Sequence, residues 1–256
     1  MEACIILGVD RTRLLECLAA DAARLGEVAG WDLAASVPTC PDWTVGDLVR
    51  HVANGYLNVV VRRLRLPKDW PVQDLTGEQP IPALQRCYAA LAEEFASRSD
   101  DDRVAGDRET VRFWIRRMAQ ETVIHRLDAE LAAGAPVTPI PEDLAADGVG
   151  EMLWLFLDHE THAWPENYAG HLVDWGGRCL LVSAGTAAWR VSLRTGGAEV
   201  SPAGDDGDAD ATIRGEPAAV LMWLYNRAAD DAVEVDGDTE MIGQFRRLLT
   251  AGTSTS

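Results

Sequence analysis

The chain of 256 residues is 47% hydrophobic and 25% charged, a composition typical of globular proteins and unlike that of disordered or fibrous ones. Its formal net charge is -18 at pH 7, because 41 Asp and Glu residues outnumber 23 Lys and Arg residues. A surface this acidic repels nucleic-acid phosphates and anionic lipids, so we expect neither a nucleic acid nor a membrane as a partner. The charge remains compatible with an enzyme that acts on small molecules.

The chain has no run approaching the roughly 18 consecutive apolar residues that a membrane span needs. The apolar start, residues 1–9, lacks the basic flank of a signal peptide and leads directly into an amphipathic helix. We therefore expect a cytoplasmic protein. Its five cysteines are widely spaced and include no Cys-x-x-Cys pair, which argues against a disulfide framework or a zinc ribbon.

In the first half of the chain, apolar residues recur every three or four positions, which predicts helices with one buried face. The predicted helices cover residues 10–28, residues 44 to 66, residues 84–96 and residues 108–133. Thr44 is suited to cap the second helix, with Asp47 as the acidic third residue of a capping box. Glu and Arg residues are expected on the outer face of the fourth helix. Four helices of comparable length predict an antiparallel four-helix bundle.

After Pro141 the pattern becomes mixed. Predicted helices cover residues 142–157, 216–226 and 240–249, and predicted strands cover residues 179–183, 188–194, 211–215 and 232–236. The Gly- and Asp-rich stretch 195–210 is expected to separate the second and third of these strands. This mixture predicts a small α+β domain. We therefore predict two domains, residues 1–138 and residues 139–256.

The fourth helix carries ionisable residues where its apolar stripe would continue. Trp114 and Met118 begin the stripe, and Glu121, His125 and Asp128 follow at intervals of three and four residues. Burying lone charged groups there costs several kcal/mol, so either the stripe faces a cavity open to water or a cation compensates the charges.

The second helix has a similar polar exception, His51, on its inward stripe. Facing helices of a bundle can bring His51, Glu121 and His125 to one ion, and two imidazoles with one carboxylate are a common zinc ligand set that leaves a fourth position open. The alternatives are a surface ion pair between Glu121 and His125 and a hydrogen-bonded core position for His51. The order differs from the H-E-x-x-H motif, which argues against a metalloprotease.

Five segments resemble the mycothiol-dependent maleylpyruvate isomerase family. Residues 37–52 and 121–130 are similar to its N-terminal domain, and residues 184–191, 209–215 and 221–227 are similar to its C-terminal domain. The resemblance implies an α plus α/β two-domain fold: a DinB-like antiparallel four-helix bundle, followed by a small α+β domain like that of the sterol carrier proteins.

The resemblance also implies a metal centre and a cosubstrate. It places His51, Glu121 and His125 on the family's ligands for a divalent metal, usually zinc. The implied cosubstrate is mycothiol or a similar thiol, which the metal would hold as a thiolate facing a small electrophile. Departure of the thiol after its addition would complete a cis–trans isomerisation, whereas retention of the adduct would make the protein an S-transferase.

Two further residues receive roles on this basis. Asp128, one turn beyond a metal ligand, is expected to accept a hydrogen bond from a ligand imidazole and to fix its tautomer. Arg227 matches a family position from which an arginine reaches toward the thiol cofactor. The chain departs from many relatives at Gln120, where they carry a histidine.

Other interpretations remain open from the sequence. The same bundle would suit a hydrolase or lyase that uses metal-bound water, or a non-catalytic metal-binding regulatory protein. Asp158–His162 is a rival metal motif, expected in a loop after a helix. Arg62, Arg63 and Arg86 are further candidate cations for an anionic substrate. The protein is expected to be a monomer or a homodimer.

Overall fold

A computed structural model describes residues 8–65, 71–103, 109–204 and 208–253. The chain divides into two compact units, one formed by residues 10–138 and the other by residues 8–9 and 139–253. In the described ranges, no helix combines the length and hydropathy that a transmembrane span requires. None of the four described cysteines forms a disulfide.

The unit of residues 10–138 is mainly helical. Its helices are α1 (Arg11–Ala29), α2 (Val45–Asn54), α3 (Arg62–Arg65), α4 (Pro80–Ala96) and α5 (Val111–Ala132). A short antiparallel pair, β1 (Ser36–Val37) and β2 (Cys40–Thr44), leads into α2. Helix α1 packs along α5, and α2 packs against α4 and α5. The helical N-terminal region that the sequence predicts is thereby confirmed.

The start of α2 follows the predicted capping box. The Thr44 hydroxyl accepts a hydrogen bond from the Asp47 backbone N–H, and the Asp47 carboxylate accepts one from the Thr44 backbone N–H. This reciprocal pair satisfies two backbone donors that a helix start leaves unpaired, which fixes the helix that carries His51.

A π-helical segment, Gly55–Val61, continues α2 and joins it to α3. The sequence predicts an uninterrupted α-helix here, with Val59 facing inward. In the structure Val59 is only half-buried, while Leu57 and Val60 are buried. The prediction for Val59 is wrong because the wider turn of a π-helix rotates the residues that follow it.

The expected outer face of α5 is also partly wrong. The side chains of Arg126 and Glu130 are fully buried. Arg126 donates to Asp21 at 3.0 Å, to Glu130 at 2.7 Å and to the Thr138 carbonyl at 2.7 Å. Helix α1 covers this side of α5, so mutual pairing replaces water around the charges.

The C-terminal unit combines helices with one five-stranded sheet. Its helices are α6 (Glu142–Glu151), the π-helix Met152–His159, α7 (Glu160–Ala163), α8 (Pro217–Leu224) and α9 (Thr239–Thr253), and its strands are β3 (Leu180–Ala184), β4 (Ala187–Arg194), β5 (Gly197–Ala203), β6 (Ala211–Gly215) and β7 (Glu234–Gly237). The strand order is β5-β4-β3-β6-β7, with β3 and β6 parallel and all other neighbours antiparallel. The predicted C-terminal sheet region is confirmed.

Two sequence predictions for this unit are wrong. Strand β5 lies inside the stretch 195–210, which was expected to be a linker; its glycines and proline hide the strand pattern. Residues 205–207 of that stretch lie outside the described residues. Asp158–His162 is helical rather than a loop, because the π-helix Met152–His159 continues directly into α7.

Candidate metal centre

Helices α2 and α5 bring together the three residues predicted to bind a metal. Glu121 Oε1 lies 3.0 Å from His51 Nε2 and 3.0 Å from His125 Nε2. One ligand atom from each residue lies within 4.8 Å of the other two. The two imidazole rings meet nearly edge to face, with centroids 5.0 Å apart. Among the residues that the structure describes, no second group of three such ligands converges.

Asp128 and Thr39 support the far side of His125. The Asp128 side chain is fully buried, and its Oδ2 lies 3.1 Å from His125 Nδ1. Its Oδ1 accepts a hydrogen bond of 2.6 Å from the Thr39 hydroxyl. A carboxylate can only accept, so Nδ1 of His125 carries the proton in this contact and Nε2 faces Glu121.

The charges of the centre reinforce one another. Burial alone would raise the pKa of Glu121, but the Arg117 guanidinium and His125 outweigh it and hold this pKa well below its ordinary value. Burial likewise opposes protonation of His125, yet the charge of Glu121 and the hydrogen bond to Asp128 raise its pKa to about 9. Without a bound metal ion, the centre therefore contains the Glu121 carboxylate and the His125 imidazolium. The positive charge of the imidazolium balances the carboxylate, as that of a bound cation would.

The donor set fits a divalent metal. Nitrogen and oxygen ligands bind zinc at about 2.0–2.2 Å, which places two atoms of a tetrahedral site about 3.3 Å apart. The 3.0 Å separations around Glu121 Oε1 are close to that value. With Nδ1 of His125 engaged by Asp128, its Nε2 can present a lone pair to an ion. His51, Glu121 and His125 are thus the residues that would hold the metal.

A cleft adjoins the centre on the side of His51. Its lining includes Trp43, Asp47, Arg50 and His51. The Trp43 ring packs on His51 with centroids 4.8 Å apart and lies 6.4 Å from the ring of His125. His51 therefore belongs both to the metal centre and to a cleft that a ligand can enter.

Three residues of the centre were missed from the sequence as functional candidates. Thr39 and Trp43 lie in the loop and strand before α2, and their contacts reach residues far along the chain. Arg117 lies one turn before Glu121 on α5. The spacing of four residues could have predicted their ion pair, because side chains at these positions are neighbours on a helix.

Other sequence candidates make contacts within their own unit of the chain. Arg227 belongs to the C-terminal unit, where its guanidinium donates to the Tyr225 carbonyl and lies 5.9 Å from the Tyr225 ring centroid. His162 of the rival motif contacts the Asp158 carbonyl at 2.7 Å. Arg63 lies over the ring of Trp114.

Two family models match the chain. Residues 14–130 match the mycothiol maleylpyruvate isomerase N-terminal domain, and residues 143–244 match the C-terminal domain of the same family. The chain belongs to the mycothiol-dependent maleylpyruvate isomerase family. The resemblance inferred from the sequence is thereby confirmed.

Solved structures share the fold of this family member. A mycothiol-dependent maleylpyruvate isomerase is 16% identical, with a TM-score of 0.56, and the match covers 90% of this chain and 95% of that chain. A mutant form of such an isomerase is 14% identical, with a TM-score of 0.57 and the same coverage. No curated protein matches the chain.

Proposed function

We propose that this chain is a metal-dependent enzyme that activates a low-molecular-weight thiol, mycothiol or a close analogue, for cis–trans isomerisation of a small electrophile or S-transfer to it. The observation that carries the proposal is the convergence of His51, Glu121 and His125 in a chain of this family. Zinc is the proposed metal, because two imidazoles and one carboxylate suit it and leave a coordination position open.

The residues of the chain prepare this site for the reaction. A bound divalent cation supplies positive charge that lowers the pKa of a thiol beside it. Asp128 holds the Nδ1 proton of His125 and thereby directs Nε2 into the centre, and Arg117 orients the Glu121 carboxylate. Arg227 is proposed to bind the thiol cosubstrate, and its role rests on the family resemblance alone.

Several finer features belong to the same proposal. The N-terminal domain, residues 1–138, is proposed to be a DinB-like antiparallel four-helix bundle, and residues 139–256 a domain like the sterol carrier proteins. A cytoplasmic location and a monomeric or homodimeric state are proposed as well. Membership of a thiol-dependent family favours this reaction over hydrolysis by metal-bound water and over a regulatory role.

Metal analysis and a thiol-consumption assay test the proposal together. Protein purified without chelator should contain close to one equivalent of zinc, and His125→Ala should lose both the metal and thiol-dependent turnover of maleylpyruvate or related electrophiles. His162→Ala, which changes a histidine outside the centre, is the matched control and should retain both. Turnover that persists in His125→Ala would refute a reaction at this site.

The fate of the thiol separates the two reactions. An isomerase returns the thiol unchanged, so its concentration stays constant while the electrophile changes geometry. A transferase consumes one thiol for each adduct, which mass spectrometry detects. Equal turnover without any thiol would instead indicate a hydrolase or lyase.

A further inference from the structure

The two oxygens of the Glu121 carboxylate contact different partners. Oε1 lies 3.0 Å from Nε2 of both His51 and His125, whereas Oε2 accepts a hydrogen bond from Arg117 Nη2. Only Oε1 therefore faces the imidazole nitrogens, and the guanidinium holds the other oxygen. A carboxylate can bind a cation through one oxygen or through both. The group that holds Oε2 thus affects how many coordination positions Glu121 would occupy on a metal.

Helix stability is a poor explanation for the ion pair of Arg117 and Glu121. Side chains four residues apart are neighbours on a helix, but the favourable order places the glutamate first, and here the arginine precedes it. The two side chains are only 14% and 17% exposed, and burial of an ion pair costs much of the free energy that the pairing contributes. The exposed pair of Arg86 and Glu78 avoids that cost. A role at the centre itself explains the position of Arg117 better.

The charges of the centre give Arg117 a second effect. A divalent metal there would meet two carboxylates, Glu121 and the fully buried Asp128, besides neutral imidazoles. The charges of these groups cancel, and so do those of Asp47 and Arg50 in the adjoining cleft, which lie 3.7 Å apart. The Arg117 guanidinium adds one positive charge to this set. Together these groups would attract one singly charged anion, such as a thiolate, hydroxide or azide.

We propose that Arg117 is a positioning residue that keeps one coordination position of the metal open for a singly charged anion. Its guanidinium holds Oε2, so Glu121 binds the metal through Oε1 alone and leaves the fourth position of a tetrahedral site free. Its charge offsets that of the carboxylate, so the metal keeps its attraction for the anion. The inference rests on the metal centre of the proposed function, and its test does not require turnover.

Two measurements on the full chain test these effects. Crystal structures of the zinc-loaded protein show how many Glu121 oxygens lie within bonding distance of the metal, about 2.0–2.2 Å. For the second measurement, cobalt(II) replaces zinc, because its visible absorption changes with its ligands, and azide is titrated as a monoanion that can take an open position. In the wild type we expect one bonded carboxylate oxygen and saturable binding of azide.

Three substitutions separate the hydrogen bond of Arg117 from its charge. Arg117→Met removes both, so Glu121 should bind the metal through two oxygens and azide should bind about tenfold more weakly. Arg117→Gln keeps an uncharged N–H donor, so it should retain the single bonded oxygen and still lose azide affinity. Arg117→Lys keeps both a charge and a donor, so it should retain the single bonded oxygen and most of the azide affinity.

A matched control accompanies these variants. Arg86→Met removes an arginine from an exposed ion pair outside the centre and should behave as the wild type in both measurements. Thermal unfolding of each variant without metal identifies any loss of fold. If Arg117→Met does not fold, the comparison of azide affinity between Arg117→Gln and Arg117→Lys decides the test, because these two differ in charge and both keep a donor.

Two results would overturn the inference. One is an Arg117→Met centre in which Glu121 still binds through one oxygen and azide binds as in the wild type. The other is equal azide affinity in Arg117→Gln and Arg117→Lys. A wild-type chain that binds neither zinc nor cobalt would refute the metal centre and with it both proposals. The expected differences in azide binding without thiol-dependent turnover would refute the proposed function and leave the role of Arg117 standing.

Discussion

Each ring nitrogen of His125 faces its own carboxylate: Nδ1 lies 3.1 Å from Asp128 and Nε2 lies 3.0 Å from Glu121. Asp128 is fully buried and fixed by Thr39, so it defines the orientation of the ring. A change at Asp128 is therefore expected to act on the metal centre through His125.

Asp128→Asn should weaken metal binding about 10- to 100-fold, the usual effect of removing a carboxylate that orients a histidine ligand. The asparagine keeps an oxygen for the Thr39 hydroxyl, so the fold should be retained. Competition with a chromophoric chelator measures the affinity, and Asp101→Asn, at an exposed carboxylate, is the control. Unchanged zinc affinity in Asp128→Asn would reduce Asp128 to a packing role.

Metal binding should release a proton from His125. Without a bound metal ion, the pKa of His125 is raised from 6.5 to about 9. Its protonation therefore contributes fully to the stability of the fold below pH 6.5, and this contribution is lost as the pH rises through 9. Zinc competes with that proton, so its apparent affinity should rise by about tenfold per pH unit up to about pH 9 and then level off. Calorimetry in buffers of different ionisation enthalpy counts the protons released. Release of none at neutral pH would contradict the assignment.

Removal of Arg126 should destabilise the N-terminal unit strongly. Its buried guanidinium pairs with Asp21 and with the buried Glu130. Arg126→Met leaves Asp21 without its arginine and Glu130 with Arg24 and Thr138 alone, and should lower the free energy of unfolding by about 3–5 kcal/mol. Arg86→Met, in an exposed ion pair with Glu78, should cost no more than about 1 kcal/mol in the same urea titration. Equal losses in the two variants would show that burial does not strengthen the pairing.

Arg227→Ala tests the proposed contact with the thiol cosubstrate. Loss of a charged hydrogen bond to a ligand should raise the KM for the thiol by about tenfold or more. The zinc content should remain that of the wild type, because Arg227 is no metal ligand. Arg194→Ala, at an exposed arginine of β4, is the matched control. An unchanged KM for the thiol would show that Arg227 does not bind the cosubstrate.

The residues of the candidate metal centre on α5 could be predicted because helical spacing alone puts Glu121, His125 and Asp128 on one side of the helix. His51 stood out for the same reason, as a polar residue in an apolar stripe. The helix start at Thr44 was likewise readable, since a capping box involves only neighbouring residues. Patterns of this kind can be recognised in the sequence because they depend only on the geometry of a single helix.

The contacts that complete the centre depend on tertiary packing instead. Thr39 meets Asp128 across 89 positions of the chain, and no local pattern encodes that approach. The burial of Arg126 and Glu130 was missed because charged residues on a helix ordinarily face water, and only the packing of α1 on α5 determines otherwise.

The π-helical segment Gly55–Val61 joins α2 to α3, and its wider turn changes the direction in which the side chains after it project from the helix axis. Helix α2 before the segment carries His51, and the segment itself carries Asn58, whose Nδ2 donates to the Gln73 carbonyl at 2.9 Å. Deletion of a single residue in the segment would convert it to an ordinary α-helix, which is the more favourable backbone geometry. Such a shortened chain should unfold at a higher temperature. It should also lose the hydrogen bonds between Asn58 and the backbone of Gln73, a residue that lines the cleft beside His51.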